Sequence, residues 1–196
     1  MIGPLVTRTL RPCSKVLTDM RVNTAFFPFV IALGLAGCNN ESNNAQNEAE
    51  TAHAGPAINF HRIDPTLATG GHIVGNGVSK LVEQGVTLVI DLRDQPPEAH
   101  EKQLEDAGIQ WVNVPVVWKE PTRDNFLEFS RVMSEHKDEN ILVQCQANYR
   151  ASAMTYLYRV TKDGVPEDEA RKDLNAVWTP EGTWQEYIDD ILESSH

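Results

Sequence analysis

Apolar and polar positions alternate in Ile58-Asn59-Phe60-His61-Arg62-Ile63, the period of a half-buried strand at an edge. Gly70-Gly71 then reads as a turn. Val78 to Gln84 fits one short helix, with Gly85 placed to close it. Val86-Thr87-Leu88-Val89-Ile90 is a β-branched run of the kind buried on both faces of a sheet, and it ends in Asp91-Leu92-Arg93. A polar helix follows over Glu98 to Ala107, stopped by Gly108, and Trp111-Val112-Asn113-Val114 is the next strand. Pro121-Thr122 opens a helix to about His136 that gathers Phe126, Leu127, Phe129, Val132 and Met133 on one face. Ile141 to Gln144 is a short buried strand. Ala151 to Lys162 is a helix with Ala153, Met154, Leu157 and Val160 inward, ended by Gly164. Two more helices are expected over Pro166 to Leu174 and about Thr183 to Leu192. In the last, Trp184, Tyr187, Ile188, Ile191 and Leu192 fall at helical spacing, so these aromatics and Trp178 belong to a core.

Strands alternate with helices through the middle of this region, and helices cluster at its end. The fold class is therefore α/β, a mostly parallel central sheet with helices on both faces and extra C-terminal helices. With 196 residues there is room for one such domain and appendages. Lys and Arg number 17 against 28 Asp and Glu, a formal charge of −11. No basic footprint for nucleic acid exists at that balance. An anionic substrate would gain nothing from long-range steering and must be drawn by a locally positive pocket.

The N-terminal third behaves differently. Met20 and Arg21 precede an apolar run from Ala25 to Leu35, shorter than the ~20 residues of a membrane-spanning helix. Charge, apolar run, small residues and a cysteine follow in order to Leu35-Ala36-Gly37-Cys38. This order resembles the lipobox of bacterial lipoproteins. The resemblance implies a signal peptide over 1–38 and lipidation of Cys38; residues 1–19 are long and partly polar for its n-region, which points to Met20 as an alternative start. Residues 39–56, rich in Asn and Glu, read as a disordered tether, and 57–196 as the domain. Asn39, rather than Asp, implies the outer membrane of the cell envelope on its periplasmic side, with the bilayer as a partner through Cys38. Residues 1–38 hold four cations against one carboxylate, so the chain beyond them carries −14.

The segment that carries chemistry is Ile141 to Ser152. A buried strand ends at Cys145, and Arg150 stands where a helix begins. The carboxyl edge of a parallel sheet is where ligands bind. N–H groups of the loop and first helical turn lack intrahelical partners, and with the helix dipole they attract an anion. The same field and Arg150 favour a thiolate at Cys145. Arg150 adds a planar fork suited to a tetrahedral oxyanion. Gln146, Ala147, Asn148, Tyr149, Ala151 and Ser152 supply the candidate backbone cradle, and Ser152 is placed either to hydrogen-bond the sulfur or to cap the helix.

This loop, with the strand end Val89-Ile90-Asp91-Leu92-Arg93 and with Val114-Pro115-Val116, resembles the cysteine-dependent, dual-specificity-like phosphatases. It is similar in particular to the bacterial phosphatase-like group named after beta-lactamase hydrolase-like proteins. The resemblance implies hydrolysis of a phosphate monoester, with Cys145 as nucleophile, Arg150 as phosphate ligand, a cysteinyl-phosphate intermediate, no metal and no cofactor. It also places the usual acid near Trp118, which cannot donate, and leaves Glu120 and Asp124 as nearest carboxylates. The alternative for Asp124 is a first-turn charge favoured by the helix dipole. Four residues separate Cys145 from Arg150, a spacing also similar to rhodanese-type sulfurtransferases. Gln144 stands where such phosphatases carry His, and Asn148 where a Gly is usual. A sulfurtransferase, a non-catalytic anion-binding module and a buried structural thiol thus remain as alternatives. The six histidines are scattered, with His72 best placed to line a cleft and no pair at metal-ligand spacing. Asp91 and Arg93 read as a structural pair, and Tyr149 as a side chain shaping the pocket entrance.

The anchor has a direct check. In a bacterial host the full chain should sediment with membranes and Cys38→Ala should not; equal partitioning of the two would contradict lipidation at Cys38.

Overall fold

The computed structural model describes residues 55–195, so the expected signal peptide, Cys38 and most of the expected tether lie outside the described residues. Five strands form one sheet: β1 His61–Arg62, β2 Leu67–Gly70, β3 Leu88–Asp91, β4 Gln110–Asn113 and β5 Ile141–Gln144. Their order is β1-β2-β5-β3-β4. Only the β1–β2 pair is antiparallel; β2–β5, β5–β3 and β3–β4 are parallel. The last strand in the chain is thus the centre of the sheet. Ile141 aligns with Leu67 on one side and Leu88 on the other, so every ladder group of β5 has a neighbour strand.

Six helices accompany these strands among the described residues: α1 Gly77–Glu83, α2 Ala99–Asp106, α3 Arg123–Glu135, α4 Tyr149–Thr161, α5 Glu167–Val177 and α6 Thr183–Glu193. They cover both faces, because strand side chains alternate. Ala68, Val89 and Leu142 point to one face and pack with Leu81 of α1 and Leu104 of α2. Leu88, Ile90, Ile141 and Val143 point to the other, against Phe129 of α3, Met154 and Leu157 of α4, Leu174 of α5 and Trp184 of α6. The mostly parallel α/β sheet with helices on both faces is therefore the architecture observed.

Three local differences from the sequence reading have physical causes. The Gly70-Gly71 pair is no turn: Gly70 closes the buried strand β2, and Gly71 forms a bridge with Ala147. A Cβ on Gly71 would sit 2.8 Å from the Gln146 carbonyl oxygen and 3.0 Å from Ala147 Cα. The glycines are thus needed for close approach to the loop after β5, not for chain reversal. Leu127, expected on the buried face of α3, is 54% exposed and joins the surface instead. Helix α4 begins at Tyr149, two residues early, so that Arg150 lies inside its first turn.

Candidate active site

Cys145 follows β5 directly and is 1% exposed. Its N–H donates to the Gly70 carbonyl at 3.0 Å, which fixes the strand end against β2. The loop then leaves the sheet through Gln146, Ala147 and Asn148 into α4. Two outer segments hold its carbonyls. His72 N–H donates to the Gln146 oxygen (3.1 Å), and Asn59 Nδ2 donates to the Ala147 oxygen (3.1 Å). Asn148 returns the contact, its Nδ2 donating to the Asn59 carbonyl at 2.6 Å. Asn148 takes φ +70°, the left-handed conformation that Asn tolerates better than other side chains. With those carbonyls turned outward, the N–H groups of Gln146, Ala147, Tyr149, Arg150 and Ala151 meet no protein acceptor among the described residues. Such oriented, unpaired donors at a helix N-terminus make an anion cradle.

Ser152 leaves that set. Its N–H donates to Asn148 O at 2.9 Å as an ordinary helical bond, its hydroxyl donates to the same oxygen at 2.8 Å, and it accepts from Trp178 Nε1 at 3.1 Å. The hydroxyl ties α4 to the end of α5 and is not directed at the thiol.

Arg150 is 7% exposed. Its Nη1 donates to the Val116 carbonyl and to Asp94 Oδ1, the latter at 3.0 Å. One nitrogen thereby joins the segments that follow β3, β4 and β5. Nε and Nη2 have no protein acceptor among the described residues. The free edge of the guanidinium is the two-donor fork that a tetrahedral oxyanion accepts from. Asp94 was missed from sequence: it is an isolated, exposed carboxylate ahead of Pro96-Pro97, with no pattern to mark it. The Arg150 guanidinium beside it holds its carboxyl below the ordinary carboxylate value, chiefly through the hydrogen bond they share.

A pocket of about 360 Å³ opens above the loop, lined by Trp118, Cys145, Gln146, Ala147, Tyr149 and Arg150. Tyr149 does shape its entrance, stacking on Trp178 with centroids 4.8 Å apart. Trp118 stacks on Trp184 at 5.3 Å and lies 6.2 Å from Tyr149. Trp184 and Tyr187 are core residues, whereas Trp178 is half-buried and backs the pocket wall. The Trp118 loop is fastened at both sides. Trp184 Nε1 donates to the Trp118 carbonyl (3.0 Å), and Thr122 and Asn125 form a capping box at the start of α3. Glu120 and Asp124 are exposed, and neither lines the pocket. Asp124 sits in the first turn of α3, where the dipole favours it. His72 is at the back of the loop, with Nδ1 3.3 Å from Gln146 Nε2, outside the pocket lining.

Beneath the loop, on the α2 face, lies a buried polar cluster. Arg93 Nε and Nη2 grip Asp91, with Nη2 at 2.6 Å from Oδ2, which makes this the structural pair expected. Removing one partner of such a buried pair costs about 3–5 kcal/mol. Gln144 Nε2 donates to Asp91 at 2.8 Å and meets His100 Nε2 at 2.6 Å, which puts the imidazole proton on Nδ1. Gln144 thus links Asp91 of β3 to His100 of α2. Burial, and then Arg93, push the His100 pKa down.

A model of the family described as "DSP-PTPase phosphatase fused to NAD+ Kinase" matches residues 44–187. Among solved structures, a DUF442 protein of Shewanella putrefaciens CN-32, itself only provisionally named a phosphatase, is 28% identical with a TM-score of 0.62, over 71% of this chain and 94% of that one. PTPMT1 in complex with PI(5)P is 18% identical with a TM-score of 0.57, over 69% of this chain and 96% of that one. TpbA of P. aeruginosa in complex with pTyr is 16% identical with a TM-score of 0.58, over 73% and 93%. The last two likenesses speak to the fold. None of the curated proteins matches the chain.

The buried cluster makes a stability prediction. An unfolded His takes up its proton near pH ~6.5, whereas folded His100 does so only at lower pH. The stability that neutral His100 contributes is complete above that value and erodes as pH falls below it. Between about pH 7 and about pH 5 the melting temperature should fall more steeply for the parent than for His100→Gln. Parallel slopes would contradict a buried neutral imidazole.

Proposed function

The chain belongs to the family described as DSP-PTPase phosphatase fused to NAD+ kinase, and on that premise we propose that it hydrolyses phosphate monoesters through a cysteinyl-phosphate intermediate on Cys145. The observation that carries this reading is the pairing, at one sheet edge, of unpaired loop N–H groups with the free Nε and Nη2 of Arg150 around Cys145. The helix N-terminus and the guanidinium stabilise anionic charge on the sulfur and on the bound phosphoryl oxygens. The Cys145 sulfur attacks phosphorus, an S–P bond forms, and the ester P–O bond breaks with its electron pair on the leaving oxygen. Water then attacks phosphorus, the S–P bond breaks, and inorganic phosphate departs as the thiolate is restored. The donors are in place before the reaction, so they need no reorganisation as charge spreads over the equatorial oxygens.

The substrate class proposed is a phosphate-bearing molecule. Support comes from the family and from fold neighbours seen with PI(5)P and with pTyr. The same loop would suit persulfide transfer by spacing alone, and the experiment below separates the two.

The full chain should release phosphate from p-nitrophenyl phosphate under reducing conditions, and Cys145→Ser should not. Arg150→Lys keeps the charge but loses the fork, and kcat/KM should fall about 10²–10³-fold, the scale of removing one oxyanion donor. Release that persists in Cys145→Ser, or that survives Arg150→Lys undiminished, would contradict the mechanism.

A further inference from the structure

Among the described residues only two that are not glycine take a positive φ, Asn59 at +45° and Asn148 at +70°. They lie 89 residues apart in the chain and are bonded to each other, Asn148 Nδ2 donating to the Asn59 carbonyl at 2.6 Å. Asn59 Nδ2 in turn donates at 3.1 Å to the carbonyl of Ala147, the residue before Asn148. A left-handed step is unfavourable for any residue with a Cβ, and for Asn less than for most. Two such steps in contact persist only where the surrounding structure holds both.

The hold on Asn59 comes from either side of it. Before it, Pro56 to Ile58 run along Gly71 to Val74. Val74 N–H donates to Pro56 O (3.2 Å), Ile58 N–H to His72 O (3.1 Å), and Gly71 N–H to Ile58 O (2.7 Å). After it, His61 Nε2 meets Asp173 of α5 at 2.8 Å, and Asp173 also accepts from Arg159 of α4 at 2.7 Å. Asn59 is thus the crest of a strap fixed at both ends, and the crest meets the loop that follows Cys145. What it grips there is a peptide plane. No described peptide bond is cis, so a carbonyl held outward turns the N–H of the same plane inward. The Ala147 carbonyl shares its plane with the N–H of Asn148, which has no protein acceptor among the described residues.

We propose that Asn59 is a positioning residue for the anion cradle: its Nδ2 fixes the Ala147–Asn148 peptide plane, and its left-handed step puts its own carbonyl where Asn148 needs an acceptor. The inference rests on the phosphatase reading above and adds to that site a residue outside both the loop and the pocket lining. Asn59 touches no substrate and acts through Ala147 and Asn148. With its donor gone, the plane is free to turn, and a turned plane offers the anion a carbonyl oxygen in place of an N–H.

The test uses the full chain, Asn59→Gly and Asn59→Ala, with inorganic phosphate as the probe. Glycine keeps the left-handed step and the backbone carbonyl and loses only the donor; alanine loses the donor and opposes the step. Phosphate affinity is read by calorimetry, and kcat/KM on p-nitrophenyl phosphate beside it, at a temperature where every variant is folded. The phosphate Kd should rise about 3- to 10-fold in Asn59→Gly, the scale of one lost hydrogen bond, and further in Asn59→Ala. In both variants kcat/KM should fall by at least the same factor, because the transition state leans on the same donors. A residue that only stabilised the fold would lower the melting temperature and leave the Kd of the folded protein unchanged. An unchanged Kd in Asn59→Gly would therefore overturn the proposal, as would an Asn59→Ala that binds no more weakly than Asn59→Gly, or a parent that binds no phosphate. Asn59→Gly decides the question if Asn59→Ala fails to fold. A parent that binds phosphate but releases none from p-nitrophenyl phosphate would overturn the phosphatase reading alone; a Kd that still rose in Asn59→Gly would support the positioning role on its own.

Discussion

A guanidinium that is 7% exposed must find acceptors or a counter-charge, and Arg150 finds both through Nη1 alone. The Val116 carbonyl and Asp94 draw that nitrogen toward the ends of β4 and β3. Its remaining donors then face the loop at the end of β5. The arrangement depends on strand order. Only because β5 inserts between β2 and β3 does the loop after it sit beside the segments after β3 and β4. Rigid attachment at one edge of the side chain is what leaves the other edge available to a ligand in a fixed geometry.

The loop obeys the same division. Its carbonyls are bound from outside by Asn59 and His72, and its N–H groups are left unbound inside. Gly71 permits that contact by lacking a Cβ, and Asn148 permits the left-handed step. Under the sheet edge, Asp91, Arg93, Gln144 and His100 form a second, buried layer. Two of its members, Asp91 and Gln144, lie in register on adjacent strands. Polarity at the carboxyl edge is thus concentrated on both sheet faces, while the flanks of the pocket are aromatic.

Much of this was legible in sequence, and the exceptions share a cause. The buried strands Leu88–Asp91 and Ile141–Gln144 announce themselves by β-branched runs, and Cys145 and Arg150 by their place between strand and helix. Strand β2 does not, because Leu67-Ala68-Thr69-Gly70 is short and ends in glycines that also mark turns. Only its neighbours, β1 and β5, give it a place. Asp94 and Asn59 are exposed polar residues with no periodic signal, and their roles arise from contacts across 56 and 88 residues of chain. From sequence Ser152 is placed to bind an anion or the sulfur or to cap the helix, yet its hydroxyl is taken by the Asn148 carbonyl and by Trp178 at the end of another helix. Local pattern thus reports which strand ends hold chemistry; tertiary contact decides which polar groups remain free to perform it.

The most direct test of the central claim is to quench the protein in acid during turnover of p-nitrophenyl phosphate and map the modified peptide by mass spectrometry. The account predicts a phosphoryl group, about 80 Da, on Cys145 as the covalent intermediate. Full turnover with Cys145 unmodified at every quench time and the phosphoryl group on another side chain would contradict it.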